Sequence, residues 1–251
     1  MHLNLRDFDA VIVDLDGTMI DTLSDFEIAL NLTLADFGHA PVDRDFIEHT
    51  IGKGSENLIR KTFEFVHNRP VDHTNTAQPA MQFVAQVGQL PNHTGAAGQA
   101  SSTEFEHALA RYQHHYLAIN GQASQVYPGV IDGLNQWRAA GLKMACLTNK
   151  PGAFALPLLK LKGLDGYFSH VFGGDAFERK KPDPLPLLKT CEALGTLPAR
   201  TLMVGDSSND AQAAHAAGCP VVLVTYGYNH GQDIRHTSAQ GYVGSLQALV
   251  L

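Results

Sequence analysis

Two acidic residues stand directly after the first apolar run of the sequence. Residues 14–18 read Asp-Leu-Asp-Gly-Thr and follow the apolar residues Ala10–Val13. Side chains two residues apart point to the same side of an extended chain, so the carboxylates of Asp14 and Asp16 can face one site. Gly17 permits the sharp turn that follows. Aspartate and glycine are also ordinary turn formers, so this segment alone favours a carboxylate site over a plain turn by a small margin.

Polar side chains that suit phosphate chemistry recur in three later segments. Thr148 and Asn149 offer a hydroxyl and an amide, and Lys180 and Lys181 lie just before a helix start that neighbouring prolines favour. Asp206 and Asp210 are four residues apart, so both can face one site across the first turn of a helix. Each segment taken singly is typical of a solvated helix cap. Four such segments next to predicted strands and helix starts in one chain predict a functional site.

The elements that position these residues alternate between strand and helix. Continuous apolar runs are typical of strands buried on both faces, as in a parallel sheet covered by helices. Such runs occur at Ala10–Val13, Met144–Leu147, Thr201–Val204 and Val221–Val224. Helical periodicity that stops at a glycine occurs at Val130–Ala140, Ala153–Lys162 and Asp210–Ala217. This order predicts a doubly wound α/β core, in which ligands bind at the carboxyl ends of the strands.

A long insertion separates the first strand from the rest of the core. Residues 21–127 carry helical patterns and no clear strand. The helical patterns cover 22–37, 55–67 and 104–119. Residues 73–103 contain no Asp, Glu, Lys or Arg, which indicates a flexible excursion or a long connection. We therefore expect a catalytic α/β core formed by residues 1–20 and 128–251 and a helical cap subdomain formed by residues 21–127.

The overall composition narrows the functional class. The 251 residues include 18 Lys and Arg against 25 Asp and Glu, a formal net charge of −7. This acidity argues against a nucleic acid partner, because binding to the phosphate backbone needs a basic face. No apolar run approaches the roughly 18 residues of a membrane span, and the three cysteines are far apart in the sequence. We expect a reduced, cytoplasmic protein with no membrane partner, either a monomer or a homodimer.

The four polar segments resemble the signature motifs of the haloacid dehalogenase superfamily of phosphotransferases. The order and spacing fit over the whole chain, with matches at residues 14–18, 148–149, 181–182 and 205–210. Further stretches are similar to the bacterial phosphoglycolate phosphatases, above all residues 223–229, which read Leu-Val-Thr-Tyr-Gly-Tyr-Asn. The resemblance implies a Rossmannoid, doubly wound parallel sheet with a helical cap inserted after the first motif.

This resemblance implies phosphatase chemistry through two carboxylates. Asp14 is the expected nucleophile, which forms an aspartyl-phosphate, and Asp16 is the expected general acid and then general base. A carboxylate cluster repels a phosphate dianion unless a cation intervenes, and Mg²⁺ suits such oxygen ligands. By the resemblance, the side chains of Asp14 and Asp206 and the backbone carbonyl of Asp16 bind Mg²⁺. The resemblance also implies that Asp210 lies beside these ligands and orients water or Lys181.

The remaining site residues are expected to bind the substrate. The phosphate ligands implied by the resemblance are Thr148, Asn149, Lys181, Gly17 and Thr18. Lys53 lies in a glycine-flanked loop that opens a predicted helix. Such a loop can present backbone N–H groups and one cation to a small carboxylate, or Lys53 can be a solvated surface residue. Related phosphatases often carry an uncharged residue in this loop, where the present sequence has lysine.

The predicted function is hydrolysis of 2-phosphoglycolate to glycolate and phosphate, so the expected partner is a small phosphorylated metabolite. A broader sugar-phosphate phosphatase or a phosphomutase of the same superfamily is the alternative. Alternatives from another class are a phosphoaspartate signalling module and a phosphate-binding module without turnover. Signalling receivers are much shorter and lack both the general acid and the cap. Dehalogenases lack a carboxylate at the position of Asp16, so its presence argues for an oxygen leaving group.

Overall fold

A parallel sheet of six strands forms the centre of the molecule. The computed structural model describes residues 5–69 and 102–249. The strands follow the order β5-β4-β1-β6-β7-β8. They are β1 (Ala10–Val13), β4 (Lys143–Leu147), β5 (His170–Phe172), β6 (Thr201–Gly205), β7 (Val221–Val224) and β8 (Gly241–Val243). All residues of β1 and β7 are buried, as expected for strands covered on both faces.

Helices cover both faces of this sheet. Strand β1 pairs with β4 on one side and with β6 on the other, so the order of the strands reverses around β1 and a ligand site is expected at its carboxyl end. The helices are α5 (Val130–Ala139), α6 (Gly152–Leu161), α7 (Leu185–Leu194) and α8 (Ser208–Ala217). Trp137 of α5 and Leu158 of α6 share one apolar cluster with the sheet, while Leu187 of α7 and Ala214 of α8 belong to the other. The predicted doubly wound α/β fold is confirmed.

A group of helices, here called the helical unit, lies between β1 and β4 in the chain. It comprises α1 (Leu23–Asp36), α2 (Arg44–Thr50), α3 (Ser55–His67) and α4 (Ser102–Ile119). These helices share their own apolar cluster. The chain enters and leaves the unit through an antiparallel pair, β2 (Ile20–Asp21) with β3 (Gln125–Val126). The division of the chain into a core and a cap at residues 20/21 and 127/128 remains a prediction.

Several short elements were absent from the sequence prediction. Strand β5 begins with a histidine, β8 begins with a glycine, and β2 and β3 have two residues each, so none shows the apolar run used to predict strands. Helix α2 has seven residues, too few for a clear helical period. The side chain of Asp43 begins it by accepting a hydrogen bond from the N–H of Phe46 at 2.8 Å.

The low-charge segment predicted at residues 73–103 lies outside the described residues, apart from its last two positions. Within the described ranges, no helix combines the length and the apolar character needed to cross a membrane. The predictions about location and oligomeric state remain predictions.

Candidate active site

Three of the predicted segments meet around the ammonium group of Lys181. Its Nζ donates to Asp14 Oδ1 at 2.8 Å, to Asp210 Oδ1 at 2.7 Å and to the carbonyl of Leu147 at 2.9 Å. The side chain of Lys181 is only 2% exposed. Lys180, its neighbour in the sequence, is partly exposed. Lys181 is therefore the buried member of the lysine pair, at the carboxyl ends of β1, β4 and β6, a region here called the sheet edge.

Asp206 brings a third buried carboxylate to the sheet edge. Its Oδ2 accepts a hydrogen bond from the N–H of Tyr228 at 2.6 Å, and its Oδ1 accepts one from the hydroxyl of Thr18 at 3.2 Å. One carboxylate oxygen from each of Asp14, Asp206 and Asp210 lies within 4.8 Å of the other two. These three oxygens form a compact set of hard donor atoms.

The charges in this cluster do not balance. The pKa of Asp14 is raised to about 7. Burial is the main cause, Lys181 acts against it, and Asp210 contributes to the rise. Burial together with Asp14 and Asp210 also raises the pKa of Asp206 well above its usual value. Burial disfavours the ammonium of Lys181, but the carboxylates around it outweigh that effect and raise its pKa. Three carboxylates share one buried lysine, so the donor set fits a hard divalent cation such as Mg²⁺.

Asp210 is engaged at both carboxylate oxygens. Its Oδ1 bonds to Lys181, while its Oδ2 accepts hydrogen bonds from the hydroxyl of Ser207 at 2.7 Å and from the N–H of Ser207 at 3.1 Å. The second set closes a capping box at the start of α8. This geometry suits the predicted role of Asp210 in orienting Lys181.

Asp16 faces a different set of partners. Its Oδ1 accepts a hydrogen bond from the hydroxyl of Thr22 at 2.8 Å and from Lys150 Nζ at 2.9 Å. Lys150 is buried, and its Nζ also contacts the hydroxyl of Tyr116 in α4 at 2.5 Å. Asp14 and Asp16 thus each pair with their own buried lysine.

Asn149 occupies the predicted place but its side chain is already bonded. Its Nδ2 donates to the carbonyls of Lys181 at 2.9 Å and Gly52 at 3.1 Å, and its Oδ1 accepts from the N–H of Lys181 at 3.0 Å. Both polar atoms of the side chain are thus engaged within the protein, and the assignment of Asn149 as a phosphate ligand remains a prediction. Thr148, by contrast, is buried and lines the cavity between the sheet edge and the helical unit.

Gly17, Thr18 and Lys53 are not among the residues that line this cavity. Gly17 has a φ of +82°, and a Cβ at this position would collide with the carboxylate of Asp206 and the ring of Tyr228. Thr18 is directed to Asp206. Lys53 is exposed. The structure therefore gives Gly17 and Thr18 a part in placing Asp206, and it leaves Lys53 in the solvent.

The sequence reasoning missed the side of the cavity formed by the helical unit. Phe26, Tyr112 and Tyr116 line it together with Lys150. The only advance signal was weak: Lys150 directly follows Thr148 and Asn149 in the sequence, and the two tyrosines are four residues apart on one helix. Aromatic residues at helical spacing are more often core residues, so this signal could not distinguish a site from packing.

Comparison with known proteins places this chain in a family. Residues 8–218 match the haloacid dehalogenase-like hydrolase family. The chain is 39% identical over 246 residues to a phosphoglycolate phosphatase from Nitrosospira multiformis, covering 98% of this chain and 95% of that protein. It is 38% identical over 242 residues to a phosphoglycolate phosphatase from Thiobacillus denitrificans, covering 96% and 94% respectively.

A solved structure shares the fold over nearly the same length. The crystal structure of a predicted phosphoglycolate phosphatase from Haemophilus somnus 129PT matches with a TM-score of 0.83 at 28% identity. The match covers 97% of this chain and 96% of that chain. The chain therefore belongs to the haloacid dehalogenase-like hydrolase family, and the names of its relatives indicate a phosphatase.

Proposed function

We propose that this protein is a Mg²⁺-dependent phosphatase that hydrolyses 2-phosphoglycolate to glycolate and phosphate. The observation that carries the proposal is the buried arrangement of Asp14, Lys181 and Asp206 at the sheet edge. The names of relatives that match almost the whole chain support the choice of substrate. The proposed mechanism has two steps and passes through an aspartyl-phosphate.

Asp14 is the proposed nucleophile. One of its oxygens is held by Lys181 at 2.8 Å, which leaves the other to attack phosphorus. The new bond joins this oxygen to phosphorus, and the bond from phosphorus to the ester oxygen breaks. The electron pair stays on the ester oxygen, where a proton from Asp16 completes the hydroxyl group of glycolate.

Water then hydrolyses the aspartyl-phosphate. Asp16, which has lost its proton in the first step, accepts a proton from the attacking water. The bond between phosphorus and the Asp14 oxygen breaks, so inorganic phosphate leaves and the carboxylate of Asp14 is restored. Lys181 stays beside Asp14 in both steps and offsets negative charge on the phosphoryl group, while Thr148 offers a hydroxyl to a phosphoryl oxygen.

Mg²⁺ would be held by the side chains of Asp14 and Asp206 and by the backbone carbonyl of Asp16. When bound, it supplies positive charge that offsets the charge on the phosphate oxygens. Asp210 contributes indirectly, because it holds Lys181 through a 2.7 Å ion pair. The cluster without its cation repels a phosphate dianion, so substrate binding depends on the metal.

Replacing Asp14 by Asn tests the nucleophile. We expect phosphate release from 2-phosphoglycolate to fall below about one part in 10⁴ of the wild-type rate, since the amide cannot form the intermediate. Asp9→Asn is the matched control, because Asp9 is an exposed aspartate just before β1 that pairs with Arg200. Near wild-type turnover by the Asp14→Asn variant, with no reversion of the amide, contradicts the assignment.

A substrate panel tests the rest of the function. Phosphate release is measured from 2-phosphoglycolate and several sugar phosphates, with Mg²⁺ and with a chelator. We expect 2-phosphoglycolate to have the highest kcat/KM and the chelator to abolish turnover. A higher kcat/KM for a sugar phosphate favours the broader phosphatase, and conversion to an isomer without phosphate release favours a mutase. Binding or single phosphorylation without multiple turnover favours the two non-enzymatic modules.

A further inference from the structure

A buried hydroxyl group without a partner belongs to a residue of the helical unit that lines the cavity. Tyr112 is fully buried and lines the cavity. Its OH has no hydrogen-bond partner within the described ranges 5–69 and 102–249. Leaving such a group unpaired destabilises the fold, so a buried unpaired hydroxyl on a cavity-lining residue points to a ligand that is bound there.

A buried ammonium lies on the same side of the cavity. The side chain of Lys150 is 2% exposed. Its Nζ lies 4.6 Å from the ring centres of both Phe26 and Tyr116, close enough for cation–π attraction. Lys150 and Lys181 are the two lysines that line the cavity in the described part of the chain. Lys181 is shared by two carboxylates of the sheet edge, whereas Lys150 pairs with Asp16. When Asp16 carries the proton that it gives to the ester oxygen, the charge of Lys150 is left for a second anionic group.

The position of Lys150 relative to Asp16 defines where that anionic group lies. Asp16 protonates the ester oxygen in the proposed reaction, and Lys150 Nζ is 2.9 Å from Asp16 Oδ1. In 2-phosphoglycolate a single methylene separates the ester oxygen from the carboxylate. A substrate whose ester oxygen meets Asp16 therefore brings its carboxylate next to Lys150, whose ammonium also contacts the hydroxyl of Tyr116.

We propose that Lys150, Tyr112 and Tyr116 form the subsite for the carboxylate of the substrate. The ammonium of Lys150 and the two tyrosine hydroxyls, one helical turn apart on α4, donate hydrogen bonds to that carboxylate. This inference rests on the proposed function and names the residues that select a phosphate ester with an adjacent carboxylate. It replaces Lys53, which is exposed and outside the cavity lining, as the cation for that group.

The test compares two substrates that differ in the carboxylate, 2-phosphoglycolate and ethyl phosphate. The measured quantity is the ratio of their kcat/KM values. We expect Lys150→Met to lower this ratio about 30- to 100-fold, the usual worth of a buried charge-assisted hydrogen bond. Tyr112→Phe is expected to lower it about 5- to 10-fold. The melting temperature of the Tyr112→Phe variant should stay the same or rise, because the substitution removes an unpaired buried hydroxyl.

Matched controls separate selection from general damage. Lys160→Met removes an exposed lysine from α6 and should leave the ratio unchanged. A purely structural role of Lys150, such as holding Asp16, would lower kcat/KM for both substrates alike and leave the ratio unchanged, which overturns the proposal. Loss of discrimination in Lys53→Met but not in Lys150→Met also overturns it, in favour of the loop lysine. If Lys150→Met does not fold, the Tyr112→Phe ratio decides.

A binding measurement distinguishes failure of this subsite from failure of the proposed function. Titration calorimetry compares 3-phosphonopropionate, a non-hydrolysable analogue with a carboxylate, with propylphosphonate, which lacks it. Tighter binding of the first by wild type, lost in Lys150→Met, supports the subsite even if 2-phosphoglycolate proves a poor substrate. Equal affinity of wild type for both analogues overturns the subsite, whatever the phosphatase assays show.

Discussion

Ion pairs of equal length are set in very different surroundings in the two regions of the molecule. At the sheet edge, Lys181 lies 2.7 Å from Asp210 with both side chains at most 2% exposed. On the surface of the helical unit, Arg111 lies 2.7 Å from Asp36, and these side chains are 37% and 32% exposed. Water screens the second pair but not the first. The distance between the charged atoms therefore does not show how much an ion pair contributes to stability or catalysis. That contribution depends on burial and on the number of fixed partners.

The largest expected effect is on catalysis at the sheet edge. Lys181→Met removes the ammonium that contacts Asp14 and Asp210, so we expect kcat to fall about 10³-fold, as for loss of a preorganised charge in other enzymes. Phosphate release at saturating substrate measures this. Lys180→Met is the control, because Lys180 is adjacent and partly exposed. An equal loss in both variants means that burial of Lys181 has no special effect.

The next largest expected effect is on stability, at a buried carboxylate inside the helical unit. Asp25 is fully buried and accepts hydrogen bonds from the N–H groups of Gly121 and Ala123 and from the hydroxyl of Ser124. Asp25→Ala leaves these donors without their acceptor and should lower the free energy of unfolding by about 3 kcal/mol. Urea denaturation measures it. A loss of less than about 1 kcal/mol would mean that Asp25 contributes no more than an exposed ion pair.

Tyr228 joins the two regions, and its hydroxyl should have a smaller effect. That hydroxyl accepts hydrogen bonds from the N–H groups of Thr22 and Leu23 and donates to Asp21. Tyr228→Phe should lower the free energy of unfolding by about 1–2 kcal/mol. Tyr242→Phe serves as the control, because that residue is exposed. The two melting temperatures should differ clearly, and equal values would argue against a bridging role for Tyr228.

The smallest effect is expected at the exposed pair. Partial burial raises the pKa of Asp36, but hydrogen bonds from Arg111 and His115 outweigh it, so the pKa is lowered overall. A lowered pKa in the folded state contributes stability above the unfolded value of about 3.9, and this is lost as the pH falls through the folded value. Asp36→Asn should therefore cost at most about 0.5 kcal/mol at neutral pH. Thermal unfolding in low and high salt checks this; a cost that salt leaves unchanged would contradict it.

The sequence contained enough information for the sheet edge because its residues follow apolar runs that end at one place. Asp14, Thr148 and Asp206 each follow a buried parallel strand, and parallel strands bring their carboxyl ends together. Lys181 needed the family resemblance, since its place beside Asp14 depends on a loop. Local sequence patterns predict the ends of strands well and the paths of loops poorly.

In the helical unit, Lys53 was predicted from the sequence as a substrate contact, and Phe26, Tyr112 and Tyr116 were missed. The contacts of this unit with the rest of the molecule include Asn149 with Gly52, which are 97 positions apart, and Tyr228 with Thr22, which are 206 positions apart. No local pattern records such contacts. Nothing in the sequence around Asp25 indicates that its carboxylate is buried. Lys53 was assigned a possible substrate contact because glycines flank it, whereas Lys150 was assigned no role. Only the fold shows which of these charges is buried.

The carbonyl oxygen of Gly52 belongs to a loop that lines the cavity. It accepts hydrogen bonds from the amides of Asn149 at 3.1 Å and Asn209 at 3.3 Å, while Asn149 also holds the backbone of Lys181. This carbonyl thus ties the loop before α3 to the sheet edge. Breaking its two hydrogen bonds costs on the order of 1–3 kcal/mol and leaves the bonds of Asn149 to Lys181 intact. Loss of these contacts at Gly52 would therefore not by itself displace Lys181.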